Sequence, residues 1–161
     1  MFKKAFPRLP RWVGIYYAAL AVILSTTAMH IPDGYLSPVT CGLMFLLVLP
    51  FWVIGIRRTR EALSARSVPL IALMAAFSFV IMMFNVPLPG GTTGHAVGAA
   101  LAAIILGPEV ATVAVSIALV IQAVLFGDGG ILAIGANCFN MAVVIPYVAY
   151  ALYQLIARDT P

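Results

Sequence analysis

Apolar residues in this chain come in long unbroken runs, not in the alternation of a half-buried strand. The first run, Val13 to Leu24, follows a basic segment and ends in small residues up to Ala28. Its length suits the core of a signal peptide better than a full span of about 20 residues. Residues 1–28 therefore read as a cleaved signal peptide or, if retained, a short N-terminal membrane anchor. Residues 29–161 read as the membrane domain. Within it, spans are expected over 38–56, 69–86, 109–126 and 132–156. A shorter apolar segment, 95–106, is rich in Gly and Ala. At 1.5 Å per residue it reaches only about 18 Å, short of the roughly 30 Å hydrocarbon core. The pattern predicts an all-α integral membrane protein, a bundle of about five transmembrane segments after the N-terminal signal or anchor.

Polar breaks separate these runs. Arg57-Arg58-Thr59-Arg60-Glu61-Ala62-Leu63-Ser64-Ala65-Arg66 reads as a basic loop, PLPGGTTG (residues 87–94) as a turn-rich break, and Gly107-Pro108 as a helix boundary. The positive-inside rule puts Lys3, Lys4, Arg8, Arg11, the Arg57–Arg66 cluster and Arg158 on the cytoplasmic side. His30 and His95 then fall together on the other side, although nothing about histidine entered that assignment. Joining 95–126 into one helix would move Arg158 outside and run a helix through Gly107-Pro108.

Composition agrees with a membrane setting. The chain is 63% hydrophobic and only 9% charged, against about 25% charged in soluble domains. The net charge of +4 belongs to the segment before Val13, since acidic and basic residues balance from Met29 onward. It is an orientation signal, and nucleic acid is not an expected partner. Cys41 and Cys138 lie in apolar surroundings without metal-ligand spacing and read as packing residues.

The candidate chemistry lies at Met29-His30. Cleavage after Ala28 would give Met29 a free α-amine. That amine and the His30 peptide nitrogen close a five-membered chelate ring; the peptide nitrogen and His30 Nδ1 close a six-membered one. His95, the only other histidine, would supply a fourth nitrogen. Tetragonal nitrogen sites suit Ni(II) or Cu(II), with Co(II) also compatible; Zn(II) prefers a tetrahedron. The plainer alternatives are a solvated interfacial His30 and a helix-end hydrogen bond for His95. Asp33 reads first as a turn residue in IPDG and second as support for the His30 ring. Asn85, Asn137 and Asn140 read as interhelical hydrogen bonders or as residues lining the site. Asp128, in GDGG, reads as a turn or cap residue. Gly94, Gly98 and Ala102, like Ala72 and Ala76, have spacing suited to close helix contact, within the chain or with a partner subunit.

HExxH, GxSxG and Walker A motifs are absent, so an enzyme is not expected. An intramembrane metalloenzyme would need a well-placed carboxylate base. A transporter of this composition must take its energy from another subunit or from a gradient.

MHIPDGYLSP, PLPGGTTGHAVGAALAAIILGPE and FGDGGILAIGANCFNMAVV, in this order over residues 29–150, resemble the CbiM/NikM family. These are the substrate-specific membrane components of energy-coupling factor transporters for cobalt and nickel. The resemblance implies a metal site formed by Met29, His30 and His95. It implies no resident cofactor, with Ni(II) or Co(II) as transported substrate. Partners would be a transmembrane coupling subunit, cytoplasmic ATPases, a small accessory membrane protein and the lipid bilayer. The location would be the prokaryotic cytoplasmic membrane, with the site facing outside. Many family members begin directly at MHIPDG and continue through further helices. Here 28 residues precede that motif, so the amine ligand depends on processing. The alternative function is a metal-binding membrane sensor or scaffold that does not transport.

Overall fold

The computed structural model describes residues 30–63, 67–89 and 92–157. The expected signal or anchor segment, the Met29 ligand, Arg66 and Arg158 lie outside them. Among the described residues, five helices carry the architecture: α1 Pro38–Ala62, α2 Ser67–Met82, α3 Ala99–Leu106, α4 Pro108–Phe126 and α5 Ile134–Ala157. A hairpin of β1 Val86–Leu88 and β2 Thr92–Gly94 joins α2 to the segment before α3. Helices α1, α4 and α5, of 25, 19 and 24 residues, are long and apolar enough to cross a membrane. The chain is a multi-pass membrane protein.

Helix α4 is the hub, packing against each of the other four helices. Its buried positions include the small residues Ala111, Ala114 and Ala118, and it packs against α3, whose Ala99, Ala102 and Ala103 are buried. Small side chains let helix backbones approach closely where lipid offers no hydrophobic drive. The α1–α4 contact is tighter still. A Cβ on Gly55 would lie 2.7 Å from the Glu109 carbonyl oxygen. Trp52 adds an interhelical hydrogen bond, its indole N–H donating to Ser116 Oγ at 2.9 Å. Outward positions such as Leu43, Leu47, Leu73 and Val120 remain exposed and apolar, as contact with acyl chains requires.

Several boundaries differ from the sequence expectation, each for a local reason. Helix α1 continues through Arg57–Ala62, because Arg, Glu and Ala are strong helix formers and the apolar count alone misses a polar extension. Ser37 starts it: its Oγ accepts the Thr40 N–H at 3.1 Å, with Pro38 at the first helical position. Helix α2 stops at Met82, and Val86, which precedes Pro87, enters the hairpin instead. Gly98 adopts φ +75°, so α3 begins only at Ala99 and His95 sits on non-helical backbone. The spaced residues Gly94, Gly98 and Ala102 therefore do not share one helix face. Ala102 is buried inside the bundle, while Ala72 and Ala76 on α2 are exposed.

Wide π-type turns occupy Gln122–Phe126 of α4 and Cys138–Val144 of α5. The second precedes Pro146, which has no N–H to close an ordinary turn. π-turns of this kind often accompany functional sites. The first leads directly into the 127–133 loop, which forms one wall of the candidate site, and the second begins one helical turn after it.

Candidate metal site

Three segments meet at one end of the bundle: residues 30–36 before α1, the hairpin with His95, and the loop from Gly127 to Ala133. The first is stitched onto the third by hydrogen bonds. Asn137 Oδ1 accepts the Ile31 N–H at 2.8 Å, and Asn137 Nδ2 donates to the Ile31 carbonyl at 3.1 Å. The same carbonyl accepts the Gly130 N–H at 2.9 Å. The Asp33 carboxylate accepts the N–H groups of Ile131 (3.1 Å), Leu132 (2.9 Å) and Ala133 (3.3 Å). These amides lead into α5, so Asp33 caps that helix from a distant part of the chain and sets a negative charge at its positive end.

Glycines make this docking possible. Gly129 has φ +90°, and a Cβ there would lie 3.2 Å from His30 Cβ and 3.3 Å from Asn137 Nδ2. A Cβ on Gly130 would collide with the Asp33 carboxylate. The chain that carries His30 therefore lies directly on backbone.

The result is a pair of buried imidazoles. The His30 and His95 ring centres are 4.8 Å apart, with the planes inclined by 59°. His95 is 5% exposed. The His30 side chain is 4% exposed, and its Nδ1 lies 2.9 Å from Asp128 Oδ1. That contact is short but poorly aligned for hydrogen bonding, so neither ring nitrogen of His30 has a hydrogen-bond partner among the described residues. Buried polar atoms are seldom left so. His95 Nδ1 lies 3.3 Å from the Ala96 carbonyl. Burial lowers the His95 pKa, and the neighbouring His30 lowers it further; the Ala96 carbonyl and Asp128 oppose this. His95 thus favours the neutral form that binds metals.

With metal–nitrogen bonds of about 2.0–2.1 Å, two imidazoles on adjacent corners of one coordination sphere have centres roughly 4–5 Å apart, compatible with the observed spacing. Among the described residues, no group of three His, Cys, Asp or Glu side chains is arranged to hold one ion. Two imidazoles alone do not fill a coordination sphere, so any ion held here needs further donors.

The structure sorts the candidate residues. His30, His95 and Asn137 converge. Asp33 is adjacent, but it holds backbone amides and not the His30 ring. Asn85 and Asn140 are exposed and outside the cluster; the wide turns beginning at Cys138 rotate Asn140 away from the face of Asn137. Sequence reasoning missed Asp128 as a neighbour of His30. Its signal was an acidic residue in a Gly-rich loop on the histidine side of the membrane.

Residues 30–160 match the family model described as the cobalt uptake substrate-specific transmembrane region. The chain belongs to this family, CbiM. It is 61% identical over 130 residues to the fused nickel transport protein NikMN of Rhodobacter capsulatus, covering 81% of this chain and 38% of that protein. It is 39% identical over 159 residues to the cobalt transport protein CbiM of Roseiflexus, covering 95% of this chain and 64% of the relative. A crystal structure of a truncated transition metal transporter superposes with a TM-score of 0.76 at 52% identity, covering 81% of this chain and 61% of that one. The chain thus spans less than two thirds of each of these proteins. The relatives are named as metal transport proteins, not as enzymes.

Proposed function

We propose that this chain captures Ni(II) or Co(II) as the substrate-binding component of an ATP-driven importer in a prokaryotic cytoplasmic membrane. One observation carries the reading: His30 and His95, drawn from distant segments, form a buried pair whose His30 nitrogens have no hydrogen-bond partner among the described residues, Nδ1 meeting only the Asp128 carboxylate as an ion-pair contact. The amine of Met29 and the His30 peptide nitrogen complete the donor set once Met29 is the first residue. That set is nitrogen-rich and suited to a square arrangement, which favours Ni(II) and admits Co(II). The names of the relatives agree with this choice of metal.

The basic residues Arg57, Arg58 and Arg60 stand at the end of α1, opposite the His30 segment that precedes it. By the positive-inside rule that end is cytoplasmic, so the site faces outside. The chain has no Walker A motif. ATP hydrolysis therefore falls to cytoplasmic ATPases acting through a transmembrane coupling subunit, with a small accessory membrane protein as a further partner. Ni(II) titration of the detergent-solubilised chain beginning at Met29 tests the reading. Micromolar or tighter binding, lost in both His30→Ala and His95→Ala, is expected; unchanged binding in both variants overturns it.

A further inference from the structure

Asp128 is explained neither by the nitrogen donor set nor by packing. Its side chain is 38% exposed, yet its Oδ1 reaches 2.9 Å from the Nδ1 of an imidazole that is 4% exposed. The carboxylate thus spans the distance from the aqueous phase to the buried pair. Its backbone is well held: the Asp128 N–H donates to the Gln122 carbonyl at the end of α4 at 3.1 Å. Gly127 (φ +66°) and Gly129 (φ +90°) make the turn that aims it. The Asp33 carboxylate, by contrast, is committed to three backbone amides.

Charge arithmetic gives this carboxylate a role. A divalent ion held by neutral nitrogens and one deprotonated peptide nitrogen keeps a single positive charge. Burying that charge without a counter-ion is costly. His30 Nδ1 cannot face both Asp128 and a metal ion, so closure of the chelate exchanges one for the other at that nitrogen.

We propose that Asp128 is the entry residue of the metal site: its carboxylate draws a divalent cation from water to His30 and then offsets its residual charge, without remaining a ligand. The inference rests on the metal-capture reading above. It names a steering and charge-balancing role that the histidines cannot fill, because a neutral imidazole has no long-range pull on a cation.

The test is rapid-mixing Ni(II) binding to the chain beginning at Met29, comparing the native protein with Asp128→Asn and Asp128→Glu at low and at physiological ionic strength. Asp128→Asn is expected to lower the association rate at low salt by about tenfold and to flatten its salt dependence. Asp128→Glu restores most of both. The visible spectrum of bound Ni(II) stays the same in all three. An association rate and salt dependence unchanged by Asp128→Asn overturn the proposal alone, as does a shifted spectrum, which would make Asp128 a ligand. Absence of Ni(II) binding by the native chain overturns the metal-capture reading as well.

Discussion

His30 and His95 stand with ring centres 4.8 Å apart, yet neither side chain holds the other in place. His30 is placed by Ile31 and Asp33, which are pinned to the 130–133 loop and to Asn137. His95 is placed by the hairpin and by the turn at Gly98. The pair is a meeting of two independently anchored backbones. A pair built this way is sensitive to residues that touch neither ring.

Asn137→Ala tests this. The variant leaves the partly buried Ile31 N–H without its partner, a loss of about 1–3 kcal/mol, and frees the segment that carries His30. Ni(II) affinity is expected to fall by about 10- to 100-fold, the range typical of lost outer-sphere support, together with a lower Tm. Calorimetric titration and a thermal melt read both, and unchanged affinity would show that Asn137 does not position His30.

Gly129 and Gly127 make a matched pair. Both have positive φ, but a Cβ on Gly127 meets open space whereas one on Gly129 meets His30 and Asn137. Gly127→Ala carries only the backbone penalty, about 1–2 kcal/mol, and should lower Tm while keeping Ni(II) affinity within a few-fold. Gly129→Ala adds overpacking of about 1–3 kcal/mol and should lose at least tenfold in affinity. Equal effects on binding would contradict the close packing of His30 on the loop.

The metal-free protein should lose stability on mild acidification. The folded pKa of His95 lies below the ordinary 6.5, chiefly through burial. Below 6.5 the unfolded chain therefore binds more protons than the folded one, and stability falls as pH drops through that window. For a single group the slope is at most about 1.4 kcal/mol per pH unit. Thermal melts between about pH 7.5 and about pH 5.5, spanning the histidine range, should show a falling Tm that flattens in His95→Asn. A native profile no steeper than that of the variant would contradict the burial argument.

Much of the fold could be read from runs of apolar residues, because a membrane span needs about 20 of them in succession. Gly107-Pro108 marked the α3–α4 boundary for an equally local reason. The shared end of His30 and His95 was legible through the arginines, which orient the spans. The contacts that shape the site were not. Whether Asp33 turns toward the His30 ring or toward the amides of Ile131, Leu132 and Ala133 depends on a loop about a hundred residues away. The separation of Asn137 from Asn140 depends on wide helical turns that an ordinary helical period does not reveal.

The central claim is that the chain beginning at Met29 holds a metal through its own terminus and the two histidines. Ni(II) titration of that chain with a free α-amine, against the same chain acetylated at Met29, tests it most directly. Acetylation removes one nitrogen donor and leaves His30, His95 and Asp128 in place. At least a hundredfold weaker binding and a shifted visible spectrum of Ni(II) are predicted; equal affinity and identical spectra in the two forms would contradict the account.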